Sequence, residues 1–147
     1  MDYITVDLSK LRKKIKVGDW VELIGKNILV CGTTLFIKNP NIKGFVSYHQ
    51  DAKYIGLEPH NWVTAWVALT DSNENNGCMR YIEGSHKFEI LEHKHLEDFR
   101  IEDKNIDYNL EKVVPLDSGS CCFHHSKTIH HTKKNNSPNS RIGVTIG

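Results

Sequence analysis

The chain has 147 residues, of which 39% are hydrophobic and 25% are charged, and its formal net charge is +1. This length and composition predict one globular domain over 1–147, with its core from about 27 to 147. The balanced charge predicts no nucleic-acid partner, and no apolar run is long enough to span a membrane. The four cysteines form no disulfide framework and residues 1–14 contain no secretory signal, so we predict a cytoplasmic location.

Taken in chain order, segment 9–24 mixes helical spacing with a Gly-Asp break and predicts one or two short helices. The segments that follow are rich in β-branched and aromatic residues and are separated by turn formers. The predicted strands lie at 27–40, 44–49, 61–69, 78–84, 111–116, 120–125 and 141–146. Segment 88–109 is charged and irregular, and we expect it to form a surface excursion with some helix. Many short strands joined by turns indicate an all-β antiparallel sandwich or barrel with short flanking helices.

His49 and Asp51 are separated by one glutamine at the end of the second predicted strand. Side chains alternate along a strand, so residues i and i+2 share a face and Gln50 points the other way. Two ligand-type side chains on one rigid face are a natural half of a metal site.

A third ligand is available from the late cluster of histidines at 124, 125, 130 and 131. Two histidines and one carboxylate form the facial triad of mononuclear iron(II) oxygenases, in which three positions stay open. A structural zinc site is less suitable, because it is usually closed by four protein ligands, often thiolates, and the chain has no Cys-x-x-Cys pair. The residues alone leave open which of the four histidines takes part.

Arg141 follows His130 by eleven residues and lies on the next predicted strand. A guanidinium fork matches a carboxylate bidentately. A metal at one end of a small pocket and Arg141 at the other would suit a dicarboxylate 2-oxo acid.

In its order of motifs the sequence resembles the phytanoyl-CoA dioxygenase family of iron(II)- and 2-oxoglutarate-dependent oxygenases. The resemblance is carried by "LIGKNILVCGTTLFIKNP", "YHQDAKY", "VTAWVALTDSNENNGCMRYIEGSHK" and "FHHSKTIHHTKKNNSPNSR", from about Val17 to the C-terminus. It implies a double-stranded β-helix, the jelly-roll or cupin-like fold. Family members are usually longer, so we expect a chain that is trimmed at both ends.

The resemblance also implies roles for individual residues. His49, Asp51 and His130 match the catalytic metal ligands, and Arg141 matches the residue that holds the distal carboxylate of 2-oxoglutarate. Thr132 and Trp66 match further residues of the cosubstrate pocket. Two weaker matches are Cys31, which equally suits plain burial, and Tyr54, which equally suits packing. His125 is expected to be a core or supporting group and not a ligand. Strand alternation is expected to turn His124 away from His125 and His131 away from His130, and none of the three is counted in the site.

The implied reaction hydroxylates a small organic substrate with dioxygen, while 2-oxoglutarate becomes succinate and carbon dioxide. The carboxylate of Asp51 favours hydroxylation over halogenation, because related halogenases have a small residue there. Two alternatives stay open: a truncated, catalytically inactive metal-binding β-helix domain, and a metal-binding protein that uses the late histidines directly. The sequence does not indicate the oligomeric state.

Overall fold

The computed structural model describes residues 28–41, 44–95 and 99–147. The helices predicted over 9–24 lie outside the described residues. Within the described part of the chain, no helix is long and apolar enough to cross a membrane.

Ten strands and one short α-helix make up the regular structure of the described residues. The strands are β1 (Thr33–Lys38), β2 (Val46–His49), β3 (Val63–Ala68), β4 (Met79–Ile82), β5 (His93–His95), β6 (Phe99–Ile101), β7 (Glu111–Val114), β8 (Cys121–His125), β9 (His130–Thr132) and β10 (Arg141–Ile146). The helix α1 (Ala52–Ile55) follows β2 directly, and single 3-10 turns lie at Ser85–Lys87, Asp103–Asn105 and Tyr108–Leu110.

The strands form two four-stranded antiparallel sheets and one two-stranded ribbon. The first sheet has the order β1-β10-β3-β8, the second has the order β2-β9-β4-β7, and β5 pairs with β6. Strands that are neighbours in a sheet are mostly distant in sequence, as in β1 with β10 and β2 with β9. The predicted all-β antiparallel core with short helices is therefore confirmed.

Two predicted segments differ from the structure. The first strand begins at Thr33, although Gly32 and Gly147 still exchange backbone hydrogen bonds in the same register, and residue 27 lies outside the described residues. The described part of segment 88–109 lies largely at the surface and contains 3-10 turns, as expected, but it also forms the strands β5 and β6, which were not predicted. Ile101 and Ile106 of this segment are buried in a core cluster with Ile82 and Ile129.

Strand alternation directs one face of each sheet into the interior. On β3 the buried positions are Thr64, Trp66 and Ala68, and on β8 they are Cys122 and His124. Trp66 lies opposite Cys122 across the β3–β8 pairing, and both pack with Met79 and Tyr81 of β4 in a core cluster that joins the two sheets. A cavity of about 520 Å³ beside this core is lined by residues of both sheets.

Glu111 on β7 ties the second sheet together on the face away from this core. Its carboxylate accepts hydrogen bonds from Tyr48 on β2, Arg80 on β4 and His131 on β9, at 2.5, 2.6 and 2.9 Å. Burial opposes its ionisation, but these three donors lower the pKa of Glu111 to about 2. The strands that carry the candidate site are therefore cross-linked behind it by one ionised carboxylate.

Gly143 on β10 makes room for the indole of Trp66. A Cβ atom at position 143 would lie 2.2 Å from Cζ2 of Trp66, and the indole is almost fully buried. Because Gly143 lies on the interior face beside Arg141, the space that it leaves sets the position of the aromatic ring in the cavity wall.

We expect Gly143→Ala to destabilise the fold by about 1–3 kcal/mol, the usual cost of overpacking a core. Gly32→Ala is the matched control, since a Cβ there meets nothing within 4 Å. Chemical denaturation of both variants measures the difference. Equal stability of the two would contradict the tight contact between Gly143 and Trp66.

Candidate metal centre

The pairing of β2 with β9 places His49 directly opposite His130. The register shifts between Val46 and His49, so the ladder is irregular at the end that carries the histidine. Such irregularities are common beside functional sites, where they redirect a side chain. The two imidazole rings lie 4.1 Å apart, centroid to centroid, with His130 almost fully buried.

Asp51 reaches the same point by a different route from the one that strand alternation suggests. β2 ends at His49, and Asp51 adopts helical backbone angles (φ −56°, ψ −34°) immediately before α1. The two side chains therefore converge through a strand-to-helix turn and not along one strand face.

Gln50, between the two ligand-type residues, points away from them as predicted and is completely buried. Its side-chain oxygen accepts from the N–H of Leu91, and its amide nitrogen donates to the carbonyl of Lys127, both at 2.8 Å. Its backbone N–H donates to Nε2 of His93 at 3.0 Å. The turn that carries His49 and Asp51 is thus fixed to two separate loops.

The potential ligand atoms of His49, Asp51 and His130 all lie within 4.8 Å of one another, the sole group of this kind in the described parts of the chain. Oδ1 of Asp51 is 3.5 Å from Nε2 of His49 and 3.6 Å from Nε2 of His130. The structure therefore brings together the three residues that the sequence analysis selected.

The tautomers of both histidines leave these Nε2 atoms as electron-pair donors. Nδ1 of His49 lies 2.8 Å from the carbonyl of Ser47, and Nδ1 of His130 lies 2.8 Å from that of Thr128. A carbonyl oxygen only accepts, so Nδ1 carries the proton in each neutral ring. Burial, together with the neighbouring histidines, holds the pKa of His130 well below its usual range. Lone pairs of two imidazoles and a carboxylate oxygen facing one another fit a bound cation such as iron(II).

The second carboxylate oxygen of Asp51 is held by two other side chains. Oδ2 lies 3.1 Å from Oγ1 of Thr64 on β3 and 3.1 Å from Nε2 of His124 on β8. Burial opposes its ionisation, yet the hydrogen bond from His124 holds the pKa of Asp51 far below its usual range. The carboxylate is therefore ionised, with Oδ2 occupied and Oδ1 turned towards the histidines.

His124 is itself oriented by Tyr81 of β4. The hydroxyl of Tyr81 lies 3.2 Å from Nδ1 of His124 and 3.2 Å from Sγ of Cys122. Burial raises the pKa of Tyr81 well above its usual value, so the hydroxyl keeps its proton and donates to Nδ1. His124 then carries its own proton on Nε2, the atom that faces Asp51.

His124 points away from His125 as expected, but it contacts Asp51 although the sequence analysis did not count it in the site. Alternation turns His124 inward on β8, opposite Thr64 of β3, whereas His125 faces outward with its ring 6.0 Å from that of His86. The pairing of β3 with β8 explains this direction. Thr64 shares the buried face of β3 with Trp66, and His124 is paired with Thr64, so the side chain of His124 also points to the interior. The expectation for His131 was correct, since its Nε2 contacts Glu111 and its ring stacks on Tyr48 at 3.9 Å.

The residues expected to hold the cosubstrate line the same cavity as the triad. Arg141 is almost fully buried, with its guanidinium 5.0 Å from the ring of Trp66. Nη2 of Arg141 donates to the carbonyl of Gly77 at 3.0 Å, while its buried Nε has no partner in the described structure. Thr132 lies two residues after His130 on β9, and its Oγ1 accepts from Nζ of Lys38 at 2.7 Å. Lys38 was not singled out from the sequence.

The two weaker candidates lie at the margins. Cys31 lines the cavity but is exposed, so the plain burial considered for it is not observed. Tyr54 is 55% exposed on α1, and its ring is roughly perpendicular to that of His49, with the two ring centroids 5.8 Å apart.

Comparison with known proteins identifies the family. A sequence model of phytanoyl-CoA dioxygenase (PhyH) matches residues 7–143. The chain belongs to this family. The prediction from the sequence motifs is thus confirmed.

Similar curated family members include phytanoyl-CoA dioxygenase 1 of Oryza sativa subsp. japonica, 31% identical over 95% of this chain and 53% of that protein. Another is the phytanoyl-CoA dioxygenase domain-containing protein 1 of Danio rerio, 32% identical over 86% of this chain and 46% of that protein. The chain spans about half the length of these relatives.

Solved structures with the same fold include the non-heme monooxygenase ThoJ, with 35% identity and a TM-score of 0.71 over 80% of this chain and 44% of ThoJ. EvdO2 from Micromonospora carbonacea, solved in complex with 2-oxoglutarate, is 22% identical, with a TM-score of 0.66 over 78% of this chain and 50% of EvdO2. The predicted jelly-roll class of the fold is confirmed by these similarities.

We expect His124→Phe to weaken iron(II) binding by about 10–100-fold, the usual effect of removing a group that orients a metal ligand. The phenyl ring fills the same space but donates no hydrogen bond to Asp51. His125→Phe is the matched control, because the neighbouring side chain lies on the other face of β8. Anaerobic titration with iron(II) measures both affinities, and equal values would remove His124 from the site.

Proposed function

We propose that this chain is the core of an iron(II)- and 2-oxoglutarate-dependent dioxygenase. It would hydroxylate a small organic substrate, with dioxygen as the oxidant and succinate and carbon dioxide as co-products. The observation that carries the proposal is one cavity with the His49–Asp51–His130 cluster on one side and the buried Arg141 on another. Membership of the phytanoyl-CoA dioxygenase family supports it.

In this proposal His49, Asp51 and His130 would hold the metal ion. Bound iron together with 2-oxoglutarate would supply the oxidising chemistry. The other residues position the reactants: Arg141 binds the distal carboxylate of 2-oxoglutarate, and Thr132 offers a hydroxyl beside it.

Trp66 lines the cavity beside Arg141, and the guanidinium of Arg141 lies over its ring in a cation–π contact. The unpartnered Nε of Arg141 supports this role, because buried polar atoms normally have a partner. A carboxylate in the cavity would complete its hydrogen bonding.

Hydroxylation is the reaction type that we favour within the family fold. Similar structures include the carbocyclase SnoK, which is 27% identical with a TM-score of 0.60, so the fold hosts other outcomes. A carboxylate at Asp51 leaves no space for a halide at that position. A cytoplasmic location is part of the proposal, and all four cysteines are free thiols, in keeping with a reducing compartment.

A metal-binding domain without turnover is the second candidate. Phe36 and Phe45, which line the cavity, are 43% and 53% exposed, so among the described residues the cavity is open to solvent on that side. An open cavity allows binding of the metal and 2-oxoglutarate but excludes water poorly.

The deciding experiment measures succinate formed from 2-oxoglutarate with iron(II) and ascorbate, in the absence of any further substrate. Slow succinate formation that Asp51→Ala abolishes would support the dioxygenase. Binding of iron without succinate formation would favour the inactive domain, and absence of iron binding would refute both.

We expect Asp51→Ala to reduce iron(II) affinity by at least about 10–100-fold, because losing a ligand costs no less than losing a group behind it. His131→Ala should leave iron binding nearly intact, since its side chain contacts Glu111 and Tyr48 instead. Anaerobic iron(II) titration of both variants is the measurement. If His131→Ala lost iron and Asp51→Ala retained it, the late histidines would be the metal site.

Arg141→Lys keeps the positive charge but loses the planar fork, so we expect 2-oxoglutarate binding to weaken by about 1–3 kcal/mol. The measurement is a titration of the iron(II)-loaded protein with 2-oxoglutarate in the absence of oxygen. An unchanged affinity would remove Arg141 from the cosubstrate site.

A further inference from the structure

A second cation lies beside Arg141 in the same cavity. Lys38, the last residue of β1, is the register partner of Arg141 across the antiparallel β1–β10 pair. Directly opposed residues of an antiparallel pair project to the same face of the sheet. Both residues line the cavity, so two positive groups from adjacent strands share one end of it.

No carboxylate balances these two charges among the residues that the structure describes. The ion pairs found there involve other basic residues, such as Arg80 with Glu74 and Glu111. Cys78 is the acidic group that faces both cations, but burial raises the pKa of its thiol, so it stays neutral at neutral pH. Two buried or half-buried cations without a counter-charge are costly unless an anion binds between them.

Two hydrogen bonds hold the ammonium of Lys38 at the cavity wall and leave one of its donors unused. Its ammonium donates to Oγ1 of Thr132 at 2.7 Å and to the carbonyl of Lys133. An ammonium has three N–H donors, so one remains. Because Oγ1 of Thr132 already accepts from Lys38, the hydroxyl hydrogen of Thr132 is free to donate to another acceptor. Lys38 and Thr132 thus form, with Arg141, a group of donors that suits a carboxylate.

We propose that Lys38 is a binding residue for the distal carboxylate of the 2-oxo acid, acting with Arg141 and Thr132. The pair of cations would select 2-oxo acids that carry a second carboxylate over those that do not. This inference rests on the proposed function, since it assumes that a 2-oxo acid occupies the cavity. The competing explanation is that Lys38 only clamps β1 to the end of β9.

The test compares Lys38→Met with the parent protein in titrations of the iron(II)-loaded form without oxygen. The two probes are 2-oxoglutarate and 2-oxobutyrate, which has the same metal-binding end but no distal carboxylate. We expect Lys38→Met to bind 2-oxoglutarate about tenfold more weakly or worse, as for a lost hydrogen bond to a charged group, and 2-oxobutyrate unchanged. Lys104→Met is the control for the loss of one positive charge, because Lys104 is an exposed residue that pairs with Glu102.

Equal loss of both probes in Lys38→Met would overturn the inference in favour of a structural clamp. So would unchanged binding of 2-oxoglutarate, and if Arg141→Lys still weakened it, the proposed function would survive without Lys38. Failure of the parent protein to bind 2-oxoglutarate would refute the inference and the proposed function together. Lys38→Arg keeps a permanent charge and provides a second variant, which should retain the preference for 2-oxoglutarate over 2-oxobutyrate.

The pH dependence of binding provides an independent readout. Burial and the facing charge of Arg141 lower the pKa of Lys38 to about 8. A lysine is charged below its pKa, so 2-oxoglutarate affinity in the parent should fall as pH rises through this value. Lys38→Arg should abolish that fall, and a fall that persists unchanged in Lys38→Arg would contradict the role of Lys38.

Discussion

The pairing of β2 with β9 is the constraint on which the site depends. It sets His49 opposite His130, and the carbonyls of Ser47 and Thr128 fix both rings as the tautomer whose Nε2 carries a lone pair. A carboxylate oxygen of Asp51 faces both lone pairs at 3.5–3.6 Å. These electron-rich atoms repel one another unless a cation lies between them. The strand pairing that completes the sheet therefore also places these atoms where a bound metal ion would stabilise them.

Asp51 is both largely buried and charged, and its two carboxylate oxygens have different partners. A buried ionised carboxylate is costly unless its lone pairs are satisfied. Thr64 and His124 satisfy Oδ2 from the first sheet, so Oδ1 is left for the cation on the second sheet. The hydroxyl of Tyr81 orients His124 in turn, and buried chains of this kind strengthen one another. The packing of one sheet on the other is thus part of the metal site.

Local patterns in the sequence were sufficient for much of this arrangement, and long-range pairing decided the rest. Strand composition and turn residues predicted seven of the ten strands but not β9, which carries His130, and motif order selected His49, Asp51 and His130. The inward direction of His124 depends on its register with Thr64, which no local pattern of the strand itself encodes. Ile101 is hidden in a charged segment, and its burial follows only from packing against distant strands.

Residues of both sheets line the cavity, and the two sheets contribute groups of opposite charge to it. The electron-rich cluster is carried by the end of β2 and by β9, whereas Arg141 and Lys38 belong to β10 and β1 of the other sheet. A ligand that is anionic at both ends, with one end on a bound cation, would bridge the sheets. Each partner would then favour the other, because the cation recruits the ligand and the ligand binds only the packed arrangement of sheets. Metal and cosubstrate binding should consequently stabilise the fold together by more than either does alone, which makes thermal unfolding a direct measure of their coupling.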